Sequence, residues 1–298
     1  MQLTHFSDPG CPWAWSAGPA FATLHWRYGD QLRWRLVMIG LSETAEQYQR
    51  RGYTGERQAR GYRSFRHRGM PFATEPRERP HATWPMCGVV VAARRLVPDR
   101  EWAVFRALQF AQFTSTLTLD EPEDLVAALE WLPGVDAQRL VAASLEPETE
   151  ELFAADRRET RSAAGRPVEF QGRSATTPEG EVRYTAPSVI FTARDGSSLE
   201  AGGFQPVEAY DVCIANLDRS LTRREPADDV AAVLAEFPDG LTTYEVAAVM
   251  APHLTAPDRD AAEDALISLA ASGGAQRRPF GNDALWTSAA AATHALAA

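Results

Sequence analysis

The chain has 298 residues, 45% of them apolar and 23% charged, the make-up of an ordinary soluble globular protein, which excludes a disordered tail, a collagen-like repeat and a coiled coil. At roughly 150 residues per domain the length leans towards two domains, or one large domain with an insertion. The net charge is −10, so the chain as a whole is not a nucleic-acid glove.

Every basic residue is an arginine, which removes lysine Schiff-base and lysine general-base chemistry from consideration. No stretch approaches the ~18–20 uncharged apolar residues of a membrane span. The opening MQLTHFSDPGCPW has neither the basic region nor the continuous apolar segment of a secretory signal, and a cytoplasmic protein is expected. Three cysteines, an odd number without repeating spacing, argue against a disulfide framework and a Cys-rich zinc site, and no metal is expected.

Residues 2–7 (QLTHFS) read as a first strand. Asp8-Pro9-Gly10 is a turn signal. Cys11-Pro12 follows, with proline where a helix can begin, because its missing N–H would be unpaired there anyway. Trp13, Ala17, Phe21, Leu24 and Tyr28 recur at helical spacing, predicting one helix from Pro12 to about Tyr28 that stops at Gly29-Asp30. Residues 31–39 (QLRWRLVMI) suit a second strand, which completes a βαβ unit.

From about Ser42 to Ala164 the segments 56–67, 82–96, 100–115, 121–132, 136–145 and 147–163 carry helical spacing or start signals. Residues 165–182 are polar and glycine-rich, a loop or weak edge hairpin. Strand character returns in VRYTAPSVIFTA (182–193), Asp195-Gly196 turns the chain into SLEAGG, and a helix is expected from Pro206 to about Leu221. This order describes a sheet domain interrupted by a helical insertion. Beyond Thr222-Arg223-Arg224-Glu225-Pro226 a second unit is expected, with a helix over 227–237 and another capped by Thr242, with Glu245 three residues on. A third helix should run from Asp258 to Ser272, followed by a hairpin turning at Gly281-Asn282. Three helices and a small hairpin are the order of a winged helix.

Cys11 is the residue predicted to carry chemistry. Where a strand turns into a helix, unpaired N–H groups and the helix dipole favour an anion. A cysteine there can have its pKa lowered to ~3.5–7.5, so a thiolate is expected near neutrality, and thiolate is the form that attacks disulfides. FSDPGCPWAW (6–15) resembles the active-site motif of DsbA-like thioredoxin-fold proteins, among them DsbA-type oxidoreductases, kappa-class glutathione transferases and 2-hydroxychromene-2-carboxylate isomerases. TAPSVIF (185–191) resembles that family's cis-proline loop, and GGFQPVEAYDVCIANL (202–217) is similar to its last strand turn and terminal helix. The likeness runs from residue 1 to about 221 and leaves the tail uncovered.

The resemblance implies an α/β fold, with a thioredoxin-like sheet domain (1–41 and 164–222) and a helical insertion (42–163), while the small C-terminal winged-helix-like domain (223–298) is expected from its element order alone. It implies Cys11 as nucleophile, with Pro12, Trp13, Ala186 and a cis Pro187 positioning a thiol or disulfide substrate. One departure limits it. The dithiol members carry C-x-x-C, whereas this chain reads Cys11-Pro12-Trp13-Ala14. A mixed disulfide on Cys11 is then expected to be resolved by a low-molecular-weight thiol, glutathione- or mycothiol-like, with no tightly bound cofactor. The alternatives are internal resolution by Cys87, a transferase or isomerase using a bound small thiol, and a non-enzymatic redox-responsive interaction protein.

Asp8, three residues before Cys11, is either an accessory group or ordinary turn chemistry. Cys213 reads as core. Trp13 should line the entrance and Trp15 should pack inward. The arginine-rich stretch from Arg50 to Arg68 mixes guanidinium and aromatic groups. It is either a lid that could take a carboxylate or a solvated helix face. No P-loop, dinucleotide fingerprint, H-E-x-x-H or G-x-S-x-G occurs. Residues 225–298 hold three arginines against eleven acids, so the tail should repel a phosphate backbone. It is read as a packing, dimerising or partner-binding unit, with no nucleic acid and no membrane as partners.

Overall fold

The computed structural model describes residues 1–290. The first unit is β1 (Gln2–Ser7), α1 (Pro12–Ser16), α2 (Gly18–Tyr28) and β2 (Arg33–Met38). The helix expected to run unbroken from Pro12 to Tyr28 is two helices. Pro19 lies in the first turn of α2 and has no N–H to continue the ladder. Ala17 closes α1 through its own N–H, bonded to the carbonyls of Trp13 and Ala14.

The insertion holds α3 (Ala45–Arg50), α4 (Gly55–Arg63), α5 (Trp84–Leu96), α6 (Glu101–Thr114), α7 (Pro122–Leu129), α8 (Ala137–Ala143) and α9 (Pro147–Thr160). Met86 to Ala93 are all buried, so α5 is hydrophobic all round and forms the centre of the insertion's core. After the short α10 (Pro167–Phe170), the polar stretch forms a hairpin of β3 (Ser174–Thr176) and β4 (Val182–Tyr184). Residues 182–193 therefore split into β4 and β5 (Ser188–Thr192), separated by the loop that holds Ala186 and Pro187. The chain closes the sheet with β6 (Ser198–Gly202) and α11 (Val207–Leu217).

The four-stranded sheet runs β2-β1-β5-β6. Strand β1 is parallel to β2 and antiparallel to β5, and β6 is antiparallel to β5. Leu3, Phe21, Leu24, Phe191, Tyr210 and Ile214 bury one face under α2 and α11. The last unit is α12 (Val230–Glu236), β7 (Leu241–Thr242), α13 (Thr243–Met250), α14 (Arg259–Ala271), β8 (Ala275–Phe280) and β9 (Asp283–Ser288), whose strands order as β7-β9-β8.

Thr242 and Glu245 make the capping box expected of them. The same Glu245, fully buried, receives two hydrogen bonds from the Arg106 guanidinium, at 2.7 and 2.8 Å. Losing one partner of such a pair costs about 3–5 kcal/mol, because the other charge is left buried. The tail is thus tied to α6. Ala22 and Trp26 of α2 join its apolar core, and Leu285 joins Trp15, Phe72, Phe110 and Phe113 in a seam shared with the insertion.

His5, at the middle of β1, is 1% exposed, and burial pushes its pKa down to about 3. The native ring therefore stays neutral where the unfolded ring, with an ordinary value of 6.5, takes up a proton. Stability from this group is complete above pH 6.5 and is lost as pH falls towards 3, by up to about 1.4 kcal/mol per unit. Urea unfolding at pH 7 and pH 5 should show a smaller loss for His5→Phe than for the parent. The difference isolates the ring from buried carboxylates such as Asp8, whose raised pKa acts with the opposite sign.

Candidate active site

Cys11 is the N-cap residue of α1, with Pro12 at the first helical position and its own N–H bonded to the Asp8 carbonyl at 3.1 Å. The Ala186–Pro187 peptide bond is cis. The Cys11 thiol donates to the Ala186 carbonyl oxygen at 3.2 Å. Because β1 and β5 are neighbours in the sheet, the C-terminal end of one lies beside the N-terminal end of the other, which brings residues 175 positions apart into contact. Cys11 clusters with Phe6, Ala14, Tyr184 and Ala186.

The expected resting thiolate is not what this geometry supports. Burial pushes the Cys11 thiol up to about 12, with the carboxylate charge of Asp8 adding to the rise. The backbone N–H groups of Ala14 and Trp13 and the charge of Arg183 pull the other way and lose. The helix-start argument has the right sign, but α1 is only five residues long and Cys11 is 6% exposed. Desolvation of the anion outweighs a few oriented dipoles.

Asp8 is fully buried and accepts four donors. The N–H of Gly10 reaches Oδ1 at 2.8 Å. The N–H of Leu41 (2.8 Å), the Thr83 hydroxyl (2.9 Å) and the Cys87 thiol (3.5 Å) reach Oδ2. This pairing is more than turn chemistry, since it ties the turn before Cys11 to the start of α5. Gly10 makes the approach possible. A Cβ there would stand 2.5 Å from Thr83 Cγ2. Cys87 thus faces the same carboxylate that perturbs Cys11, with its own thiol pushed well up by burial. Cys213 is half-buried against the sheet's core.

Trp13 is 41% exposed and Trp15 fully buried. The Trp13 ring meets Phe65 edge-on at 5.0 Å and Phe204 at 5.8 Å. The Arg68 guanidinium lies over both Trp13 (4.4 Å) and Phe204 (4.7 Å). Two residues of the arginine-rich stretch, Phe65 and Arg68, therefore border Trp13, two residues beyond Cys11. The others do different work: Arg60 pairs with Glu56 on the helix surface, Arg66 donates to the Phe72 carbonyl, and the buried Tyr62 hydroxyl accepts from Gln112. Sequence reasoning missed Arg183, Tyr48 and Phe204. The Tyr48 hydroxyl is pushed up by burial and by the neighbouring charge of Asp8. Phe204, inside GGFQP, and Arg183, inside VRYTAPSVIFTA, sat in segments already singled out, though neither was marked for the site. Among the described residues, no group of three His, Cys, Asp or Glu side chains is placed to hold a metal ion, and no helix is long and apolar enough to cross a membrane.

Asp8→Asn should lower stability by about 2 kcal/mol or more in urea unfolding, since donors that shared Oδ2 would face an amide NH2. It should also speed alkylation of Cys11, followed peptide by peptide by mass spectrometry at fixed pH, because a repelling charge is gone. An unchanged rate would mean that the charge of Asp8 does not reach the sulfur.

No family model matches the sequence, and no curated protein matches it. Solved structures do. A Nitrosomonas europaea protein assigned as a protein disulfide isomerase superposes with a TM-score of 0.54 at 18% identity, covering 72% of this chain and 96% of that one. A Streptomyces coelicolor protein assigned as a DsbA oxidoreductase gives the same TM-score and identity over 76% of this chain and 94% of that one. The chain has the DsbA-like thioredoxin fold, with a tail beyond it.

Proposed function

We propose that this chain is a thiol-disulfide oxidoreductase working through one cysteine, Cys11, with a glutathione- or mycothiol-like small thiol completing its cycle. The observation that carries the proposal is the 3.2 Å contact between the Cys11 thiol and the Ala186 carbonyl, at a helix start and beside a cis-proline. A disulfide substrate whose backbone pairs with Ala186 takes that carbonyl and leaves the S–H without its acceptor. The N–H groups of Trp13 and Ala14 and the charge of Arg183 then favour the anion.

Cys11 attacks one sulfur of the substrate disulfide. A Cys11–S–S–R bond forms, the R–S–S–R′ bond breaks, and R′S⁻ leaves with the proton Cys11 gave up. A small thiol then attacks the bond to Cys11, releasing the free cysteine and carrying R away in a new disulfide. Ala14, where a dithiol enzyme has its second cysteine, supports resolution by an outside thiol. Cys87, fully buried and bonded to Asp8, is the slower internal route. Arg68, over the rings of Phe204 and of Trp13, which follows Cys11 by two residues, is a cation suited to a carboxylate on that thiol.

The raised pKa of Cys11 favours a second reading, in which the S–H stays protonated and donates to the thiolate of a bound small thiol, as a transferase or isomerase would need. A cytoplasmic setting accords with three cysteines that stand as free thiols. The tail is read as a packing or dimerising unit rather than a nucleic-acid reader. Besides its acidity, its arginines are engaged at home, with Arg277 over Trp286 (5.6 Å) and Arg278 over Trp131 (4.5 Å).

Reduction of a small mixed disulfide, coupled to thiol turnover, should fall at least about a hundredfold in Cys11→Ser. Turnover of an electrophile with a small thiol that survives Cys11→Ser would favour the second reading, since a hydroxyl still donates. Loss of neither activity would remove Cys11 from the chemistry.

A further inference from the structure

A cavity of about 350 Å³ lies where α2, α6 and the tail meet, lined by Phe21, Trp34, Trp102 and Phe105 and closed on the tail side by Phe237. Its wall includes His5, which points to the face of β1 opposite Phe6, the residue that clusters with Cys11. His5 sits among the rings, 4.6 Å from Phe21, 5.9 Å from Trp102, 6.2 Å from Phe105 and 6.3 Å from Trp34 between centroids.

Two polar side chains on this wall carry buried nitrogen atoms with nothing to bond. Neither ring nitrogen of His5, which is 1% exposed, and not Nε2 of Gln109, which is 3% exposed, has a hydrogen-bond partner among the described residues. Buried polar groups normally have one, and an unmet one is costly. Nothing in the proposed thiol chemistry uses either residue.

We propose that this cavity binds a neutral aromatic molecule of one ring or two that carries a hydroxyl group. The size falls at the small end of ligand pockets, and the apolar lining is built of ring faces and edges, which suit another ring. The polar requirement is narrower. A neutral imidazole has one donor and one acceptor nitrogen, and Gln109 Nε2 only donates. A hydroxyl can give its proton to the imidazole and accept from the amide.

Charge decides against an ion. Of the charged side chains on the wall, Arg106 is paired with Glu245, Glu101 with Arg94, Asp239 with Arg100 and Glu236 with Arg224. Asp99, exposed at the mouth, repels an anion. A cation inside would have to take a carboxylate from its arginine.

Calorimetric titration of the full chain with phenol, toluene and benzoate tests this. Phenol should bind one per chain, at least about tenfold tighter than toluene, which has the same shape without the hydroxyl, and benzoate should be weaker than phenol. Gln109→Leu should bring phenol down to the level of toluene. In the parent protein phenol should also shift the side-chain nitrogen resonances of His5, a readout that needs no variant to fold. Cys11→Ser should bind phenol as the parent does, so the result stands apart from the thiol chemistry. No phenol binding, equal binding of phenol and toluene, or His5 resonances that stay put would each overturn the proposal.

Discussion

The contact between the Cys11 thiol and the Ala186 carbonyl exists because β1 and β5 are antiparallel neighbours, so that the loop leaving one strand lies against the loop entering the other. That juxtaposition supplies an acceptor for the proton. It also closes the sulfur off from water, and desolvation then dominates the balance of forces on the thiol. At Cys11 the burial of the sulfur thus outweighs the local signature of a helix start.

The remainder of the molecule reinforces that closure. Asp8 gathers donors from the turn, from the chain after β2 and from the first turn of α5, so the insertion is fastened at the point where Cys11 is held. The tail is fastened in turn by a buried guanidinium–carboxylate pair and by the aromatic seam around Trp15. Trp15 is four residues from Cys11 on the same short helical segment, with its indole N–H bonded to the Pro71 carbonyl at 2.9 Å. The three parts of the chain therefore converge on the segment from Asp8 to Gly18. Trp13 alone on that segment faces outward to a large degree, bordered by Phe65, Phe204 and Arg68.

Much of this was legible in the sequence where a local rule decided the outcome. Alternation and turn residues give β1 and β6 to within a residue or two, capping chemistry gives Thr242 and Glu245, and the strand character read over 182–193 proves to be two strands parted by the Ala186-Pro187 loop. Periodicity failed where a single residue overrode it, as Pro19 does in dividing α1 from α2. It also failed on short polar helices such as Ala45–Arg50, which have no buried face to leave a pattern. At the site, the strand-to-helix junction marked Cys11, and Asp-Pro-Gly marked Asp8. What sequence could not convey was depth. The dipole at a helix start is a local property, whereas the loss of water around the sulfur is made by residues far away in the chain. Arg183, Tyr48 and the empty bonding capacity of His5 are of the same kind, visible only once the sheet has assembled.

The central claim, a thiol held protonated by burial against the Ala186 carbonyl, is tested most directly by the carbon-13 shift of the Cys11 Cβ, followed against pH in protein labelled at cysteine. The account predicts a signal that keeps its thiol position from neutrality through about pH 10, well above the ordinary cysteine value of about 8.5. A midpoint below about 7.5, the upper end of the range for cysteines activated at helix starts, would contradict it.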